Sequence, residues 1–270
     1  MIKIIVCGAA GRMGKRIIAC AGDEEGLEIT GAVERSGHHD LGMDAGELSG
    51  IGNIAVALTD SLSSVIENGD VVIDFSSPES TLDNAAVTAK NIKSLVVGTT
   101  GFSREEEDRL KETVRGIACV FSPNMSVGVN LLFKLVEEVA GTLGDEYDIE
   151  IIEAHHRLKK DAPSGTAAKL AQYAATGRDR NLSEIAVYGR EGMVGERPRG
   201  EIGIHAIRAG DIVGDHTVLF STPGERIELV HRAHSRDTFA RGALRAARFA
   251  ATAQPGLYTM HDVIKNVEGR

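Results

Sequence analysis

The opening of the chain constrains its fold more than any other feature. A short apolar run, Ile2–Cys7, ends directly on Gly8-Ala-Ala-Gly11-Arg-Met-Gly14. Beyond it, Met13, Ile17, Cys20 and Ala21 recur at helical spacing. A buried strand that turns on glycines into a helix brings backbone N–H groups and a helix N-terminus against a pyrophosphate. The spacing is GxxGxxG, not GxGxxG, and glycine turns also serve packing alone. Position is therefore what gives this one weight. The same apolar residues superficially resemble a short signal peptide, but they read better as a buried strand leading into the turn.

A second strand, Leu27–Val33, follows and ends at Glu34. An acidic side chain there can accept hydrogen bonds from an adenosine ribose, while the adjacent Arg35 could instead contact a 2′-phosphate. After a polar, glycine-rich stretch over Ser36–Gly52, strands are expected at Ile54–Leu58, Val71–Phe75, Leu95–Val97 and Ile117–Phe121. Helices are expected over Ser61–Asn68, over Ser80–Lys90, and from a capping box at Ser103 and Glu106 to about Arg115. This alternation predicts an α/β fold with a doubly wound parallel sheet. Gly98-Thr99-Thr100-Gly101 and Ser122-Pro123-Asn124-Met125 follow strands at the carboxyl ends, where ligands bind such sheets.

The rhythm then changes. Val129, Leu132, Phe133, Val136, Val139 and Leu143 form one face of a long helix. A strand at Ile149–Ala154 and a helix over Ser164–Thr176 come next. Strand-like runs at Ile202–Arg208, His216–Ser221 and Arg226–Ala233 then predict an antiparallel or mixed sheet, hence a second domain. Asp237–Thr252 reads as a final amphipathic helix.

Composition narrows the function classes. The chain has 270 residues, 42% hydrophobic and 26% charged, enough to bury a sizeable core. Lys and Arg number 30 against 39 Asp and Glu, a formal charge of −9. A surface this acidic argues against nucleic-acid binding but leaves small anionic ligands open. Cys7, Cys20 and Cys119 are odd in number and lack CxxC spacing, which fits a reducing cytoplasm and argues against a disulfide framework or zinc site. No apolar run is long enough to span a bilayer.

The densest chemistry lies in Glu153-Ala-His155-His156-Arg157-Leu-Lys159-Lys160-Asp161-Ala-Pro163-Ser164-Gly165-Thr166. Adjacent histidines on a strand point to opposite faces, so one of them faces a given cleft. No HExxH motif supplies further metal ligands, and no metal is expected. Ser164 can cap the following helix, and free N–H groups in the first turn suit a carboxylate. Taken singly, Arg157 and Lys160 read as a solvated basic loop. The combination reads as a site for a small acid with one or two carboxylates.

These residues resemble the 4-hydroxy-tetrahydrodipicolinate (dihydrodipicolinate) reductase family of bacterial lysine and diaminopimelate synthesis. The likeness runs over nearly the whole chain. It includes Gly8–Gly14, Glu34-Arg35, Gly98–Phe102, Asn124–Asn130, Ile151–His156, Asp161–Thr166, Arg208–Gly214 and the helix around Phe239. Glu153–Thr166 is highly specific; the glycine turn is not. The resemblance implies a Rossmann-type domain of residues 1–126 and 237–270, with an inserted α+β domain of 127–236 that binds substrate and forms a homotetramer. It implies NADH or NADPH as cofactor, held at Gly8, Ala9, Ala10, Gly11, Arg12, Met13, Glu34, Arg35, Gly98, Thr99, Thr100, Ser122, Pro123, Asn124 and Met125. It assigns His155 as proton donor or acceptor and Lys159 as a proton donor that also binds a substrate carboxylate. His156, Gly165 and Thr166 are assigned to the substrate, and Ser164, as the cap of their helix, is counted with them. Met125 stands where some relatives have Phe, and altered packing beside the cofactor is expected there. The reaction implied is reduction of a cyclic dicarboxylic acid to tetrahydrodipicolinate, with loss of water. Two other readings share the first domain. They are another nicotinamide-dependent oxidoreductase of aspartate-derived metabolism and a non-catalytic dinucleotide sensor, and neither calls for the Glu153–Thr166 segment.

Overall fold

A computed structural model of the chain describes residues 1–265, so the last five positions of the expected 237–270 segment lie outside the described residues. In chain order the first half runs β1 (Ile2–Cys7), α1 (Arg12–Gly22), β2 (Leu27–Val33), α2 (Ala45–Ser49), β3 (Leu58–Thr59), β4 (Val71–Asp74), α3 (Pro78–Lys90), β5 (Ser94–Val97), α4 (Arg104–Thr113) and β6 (Ala118–Phe121). Then come α5 (Val127–Leu143), β7 (Asp148–His155), α6 (Gly165–Gly177), α7 (Leu182–Ile185), β8 (Ala186–Tyr188), β9 (Ile202–Arg208), β10 (Gly214–Thr222) and β11 (Glu225–Ala233). The chain closes with α8 (Asp237–Ala250), β12 (Gly256–Tyr258) and α9 (Met260–Lys265). It divides into two compact units, Met1–Val127 with the chain from Arg236 onward, and Gly128–Ser235.

The first unit is a seven-stranded sheet in the order β12-β6-β5-β4-β1-β2-β3, parallel at every pairing. Its inner stretches, such as Ile4–Cys7 and Val71–Ile73, are continuous apolar runs because both faces are covered there. Ile4, Val6 and Ile73 point into one core with α1 and α8, whereas Ile5, Cys7, Val72 and Leu95 point into the other, which includes Leu82 of α3 and Leu110 of α4. The strand order reverses between β1 and β4, the point at which ligands bind open sheets of this kind.

Two expectations in this unit are corrected. Ile54–Leu58 is not a strand; only Leu58–Thr59 joins the sheet. Asp44 takes the amides of Ile54 and Val56 on its own carboxylate, at 3.1 and 3.0 Å, while also capping α2. The segment over Ser61–Asn68 is two short 3₁₀ turns broken at Val65, not one helix. The capping box at Ser103 and Glu106 is present.

The second unit is a mixed five-stranded sheet in the order β11-β10-β7-β9-β8. β7, β8 and β9 run parallel, and β10 pairs antiparallel with both β7 and β11. β7 alternates strictly, with Ile149, Ile151, Glu153 and His155 on the buried face. Ile149 and Ile151 pack with Val136 of α5, Leu170 and Ala174 of α6, and Val218 and Phe220 of β10. Glu153 and His155 continue that face to the carboxyl end of the strand, so a core-facing register delivers two titratable groups to one place.

Candidate active site

In the first unit, Gly8 has φ +74°, and a Cβ there would lie 2.6 Å from the Phe75 carbonyl oxygen; a Cβ at Gly14 would lie 2.2 Å from the Gly8 carbonyl oxygen. Only glycine permits this close turn. Gly11 caps α1 without a side-chain acceptor, so no side chain of the cap competes for the helix N-terminus. A cavity of about 490 Å³ opens beside the turn, lined by Gly8, Gly11, Glu34, Arg35, Asp60, Ser76 and neighbouring residues. A second, of about 260 Å³, shares Gly11, Phe75 and Ser76 with it and extends to Arg12, Met13, Gly98, Thr99 and Thr100. Two linked hollows meeting at a helix N-terminus fit the two halves of a dinucleotide with its pyrophosphate between them.

Behind these hollows Asp74 is fully buried. Its carboxylate accepts from the Ser76 amide and hydroxyl at 2.9 and 2.6 Å, from Thr81 at 3.0 Å and from Asn84 at 2.8 Å; Thr99 lies at 3.3 Å. The network ties the loop after β4 to the loop after β5. Thr99 thus spends its hydroxyl inside the protein, while Thr100 is exposed.

In the second unit, Glu153 is 0% exposed. Arg208 donates to both of its oxygens, each at 2.8 Å, and the Ser164 amide donates at 2.9 Å. His155 Nδ1 lies 2.6 Å from Glu153 Oε2. Burial pushes the Glu153 carboxyl upward, but Arg208, His155 and the Ser164 amide outweigh it and hold the group below the usual range. The His155 imidazole is drawn below its ordinary value by burial, with Glu153 pulling the other way and the charges of Lys159 and Arg208 adding to the lowering. Lys159 Nζ pairs with Asp161 at 2.9 Å. Ser164 caps α6 by accepting from the Ala167 amide, and Gly165 and Thr166 form the helix's first turn. At Gly165 a Cβ would meet nothing within 4 Å, so this N-terminus opens onto free space.

The structure thus gathers His155, Lys159, Ser164, Gly165 and Thr166 around the end of β7. His156 Nδ1 is buried without a hydrogen-bond partner. The Ser164 hydroxyl accepts from the Ala167 amide and lies 3.3 Å from His216 Nε2. Met125 is 1% exposed and packs in the core, so its side chain does not reach the cavities described. Ser122 donates to the Asn124 carbonyl at 2.9 Å, and Pro123 is exposed. Sequence reasoning did not single out Arg208 and Glu153 as a pair, nor Asp74, Ser76 and His216. The alternation of β7 carried the signal for Glu153, since it puts an acid on the buried face that Ile149 and Ile151 begin.

A doubly wound sheet with a dinucleotide-sized crevice, and a second unit carrying a carboxylate-held histidine beside a helix N-terminus, define a nicotinamide-dependent oxidoreductase of two-domain build. Residues 2–125 match the family model described as dihydrodipicolinate reductase, N-terminus, and residues 128–264 match dihydrodipicolinate reductase, C-terminus. The 4-hydroxy-tetrahydrodipicolinate reductase of Syntrophus aciditrophicus is 52% identical over 264 residues, covering 98% of each chain. That of Hahella chejuensis is also 52% identical, over 98% of this chain and 99% of its own. The dipicolinate-bound dihydrodipicolinate reductase from Paenisporosarcina sp. TG-14 superposes with a TM-score of 0.76 at 26% identity, covering 96% of this chain and 97% of that one. The chain belongs to the dihydrodipicolinate reductase family.

Proposed function

We propose that the chain reduces 4-hydroxy-tetrahydrodipicolinate to tetrahydrodipicolinate with NADH or NADPH, as a step of lysine and diaminopimelate synthesis. The observation that carries this reading is the His155–Glu153 pair beside the open N-terminus of α6, within a chain 52% identical over its length to reductases of that name. The substrate loses water and gains a hydride and a proton. The nicotinamide, when bound, supplies the hydride. Gly8, Gly11, Arg12 and Met13 hold the pyrophosphate, Glu34 the adenosine ribose, and Gly98–Thr100 the nicotinamide end. The amides of Gly165 and Thr166, with Lys159 and His156, bind the two carboxylates and orient the ring. His155 keeps Nδ1–H on Glu153 and delivers a proton from Nε2 to the ring atom that gains negative charge.

The same proposal makes the enzyme a homotetramer built through the five-stranded sheet. Supporting this, the face of that sheet turned away from α5 and α6 carries exposed Ile207 and Val230 and partly buried Ile152 and Leu219. A cytoplasmic setting fits three buried free thiols, and no helix among the described residues is long and apolar enough to cross a membrane.

The deciding experiment follows the absorbance of NADH and NADPH with purified protein. Oxidation should occur only when the product of the preceding synthase is supplied. No oxidation of either cofactor with that product present would overturn the assignment.

A further inference from the structure

We propose that Glu153 is the positioning residue of this active site, its buried carboxylate locking the His155 imidazole with Nδ1 inward and Nε2 as the only nitrogen able to exchange a proton. The inference rests on the reading of His155 as proton donor.

The geometry carries it. A fully buried carboxylate is costly unless its oxygens are filled, and Arg208 fills both in a bidentate pair while the Ser164 amide takes a third position. The charge of Glu153 is thus balanced without His155. The remaining acceptor direction is aimed at Nδ1 at 2.6 Å. An imidazole nitrogen facing an ionised carboxylate carries the hydrogen, which fixes the tautomer. From the other side the ring is walled by Gly214 of β10, where a Cβ would lie 3.0 Å from Nε2 and 3.4 Å from Cδ2. Glycine at that position leaves room for the ring, and the backbone there limits its swing.

The charged and titratable groups around His155 are few. Glu153 lies on its own strand, Arg208 on β9, and Lys159 and Asp161 on the loop beyond β7. His216 of β10 is edge-on with ring centroids 5.2 Å apart, and His231 of β11 lies behind His216. Of these, Glu153 supports the imidazolium against burial and against the Lys159 and Arg208 charges. Removing its charge while keeping an acceptor oxygen therefore lowers the pH at which His155 loses its proton.

Glu153→Gln does this. Above neutrality kcat should fall roughly 10–100-fold, and the descending limb of the kcat profile should move to lower pH. KM for the dicarboxylate and affinity for NADH should stay within about threefold. Imidazole ¹⁵N spectra should show the Nδ1–H form of neutral His155 in the wild type and a mixture of tautomers in the variant. Should Glu153→Gln alone fail to fold because Arg208 is left unpaired, the double variant Glu153→Gln with Arg208→Gln removes both charges, and a smaller displacement in the same direction is expected, because the weaker lowering by Arg208 is removed with the stronger support of Glu153. A limb and tautomer unchanged in the folded variant would overturn the proposal and leave His155 as donor. His155→Gln with kcat within about threefold of wild type would overturn the donor reading, and this proposal with it.

Discussion

Glu34 Oε2 accepts a 3.1 Å hydrogen bond from the amide of Ala10, so the acid that follows β2 sits over the glycine turn that follows β1. Its other oxygen accepts from the amide of Arg35, also at 3.1 Å. The carboxylate is thereby pointed along the cavity wall, and the Arg35 side chain is left at the exposed rim.

That arrangement predicts use of both cofactors with separable determinants. Glu34 suits ribose hydroxyls, and Arg35 suits a 2′-phosphate. Arg35→Ala should weaken NADPH roughly tenfold, the value of one charge-assisted hydrogen bond, and leave NADH nearly unaffected. Calorimetric titration of both cofactors checks this. Equal losses would show that Arg35 does not read the phosphate.

In the second unit, the chemistry and the binding should separate by residue. His155→Gln should lower kcat by roughly 10²–10⁴-fold, the usual contribution of a general acid. Thr166→Val should chiefly raise KM, because a carboxylate contact is the same in ground and transition states. Burial draws the free-enzyme imidazole below its ordinary value, against the pull of Glu153. A bound dicarboxylate adds negative charge nearby and favours the imidazolium. The descending limb of kcat, which reports the complex, should therefore lie at higher pH than that of kcat/KM, which reports the free enzyme. Coincident limbs would mean that the substrate carboxylates do not lie near His155.

Much of this was legible in the sequence because local pattern and tertiary role coincide. An apolar run ending on Gly8 can hardly be other than a buried strand and a turn, and the alternation in β7 marks its inward face. The misreadings arose where a side chain intervened from a distance. Nothing local to Ile54–Leu58 reveals that Asp44 takes two of its amides, and the left-handed Ala55 (φ +59°) that breaks the run is invisible in composition. Arg208 is similar. It lies 55 residues from Glu153, and only the parallel pairing of β7 with β9, which sets His155 opposite Arg208, brings its guanidinium to that carboxylate.

Asp74 should matter to both stability and cofactor binding. Asp74→Ala would take the acceptor from the buried Thr81 hydroxyl, at a cost of about 1–3 kcal/mol unless it finds another partner, and would also release Ser76 and Asn84, which lie nearer solvent. The loops holding Ser76 and Thr99 would also lose their common anchor. A melting temperature lowered by several degrees and weaker NADH binding are expected together. Asp74→Asn keeps the oxygen that Ser76 and Thr81 use, and Asn84 can turn its amide to match, so its effect should be much smaller. Full cofactor affinity in Asp74→Ala would show that the network supports the fold without shaping the site.

His216 should make the second unit sensitive to acid. It is 4% exposed, with Nε2 3.3 Å from the Ser164 hydroxyl and Nδ1 without a partner. Burial, reinforced by the neighbouring His155 and His231 and opposed by Glu153, brings its pKa down from 6.5 to about 3. The unfolded chain therefore binds more protons than the folded one between those values. Stability is kept above the unfolded value, falls as pH drops through that window, and changes no further on this account once the folded value is passed. A shift of this size corresponds to a few kcal/mol. His216→Gln offers a neutral amide in place of the imidazole and cannot charge, so its unfolding temperature should decline less steeply through the same window. Carboxylates such as Glu153 protonate in both proteins, and the difference between the two slopes isolates the histidine. Parallel slopes in scanning calorimetry would place the acid sensitivity on the carboxylates and remove His216 from the account.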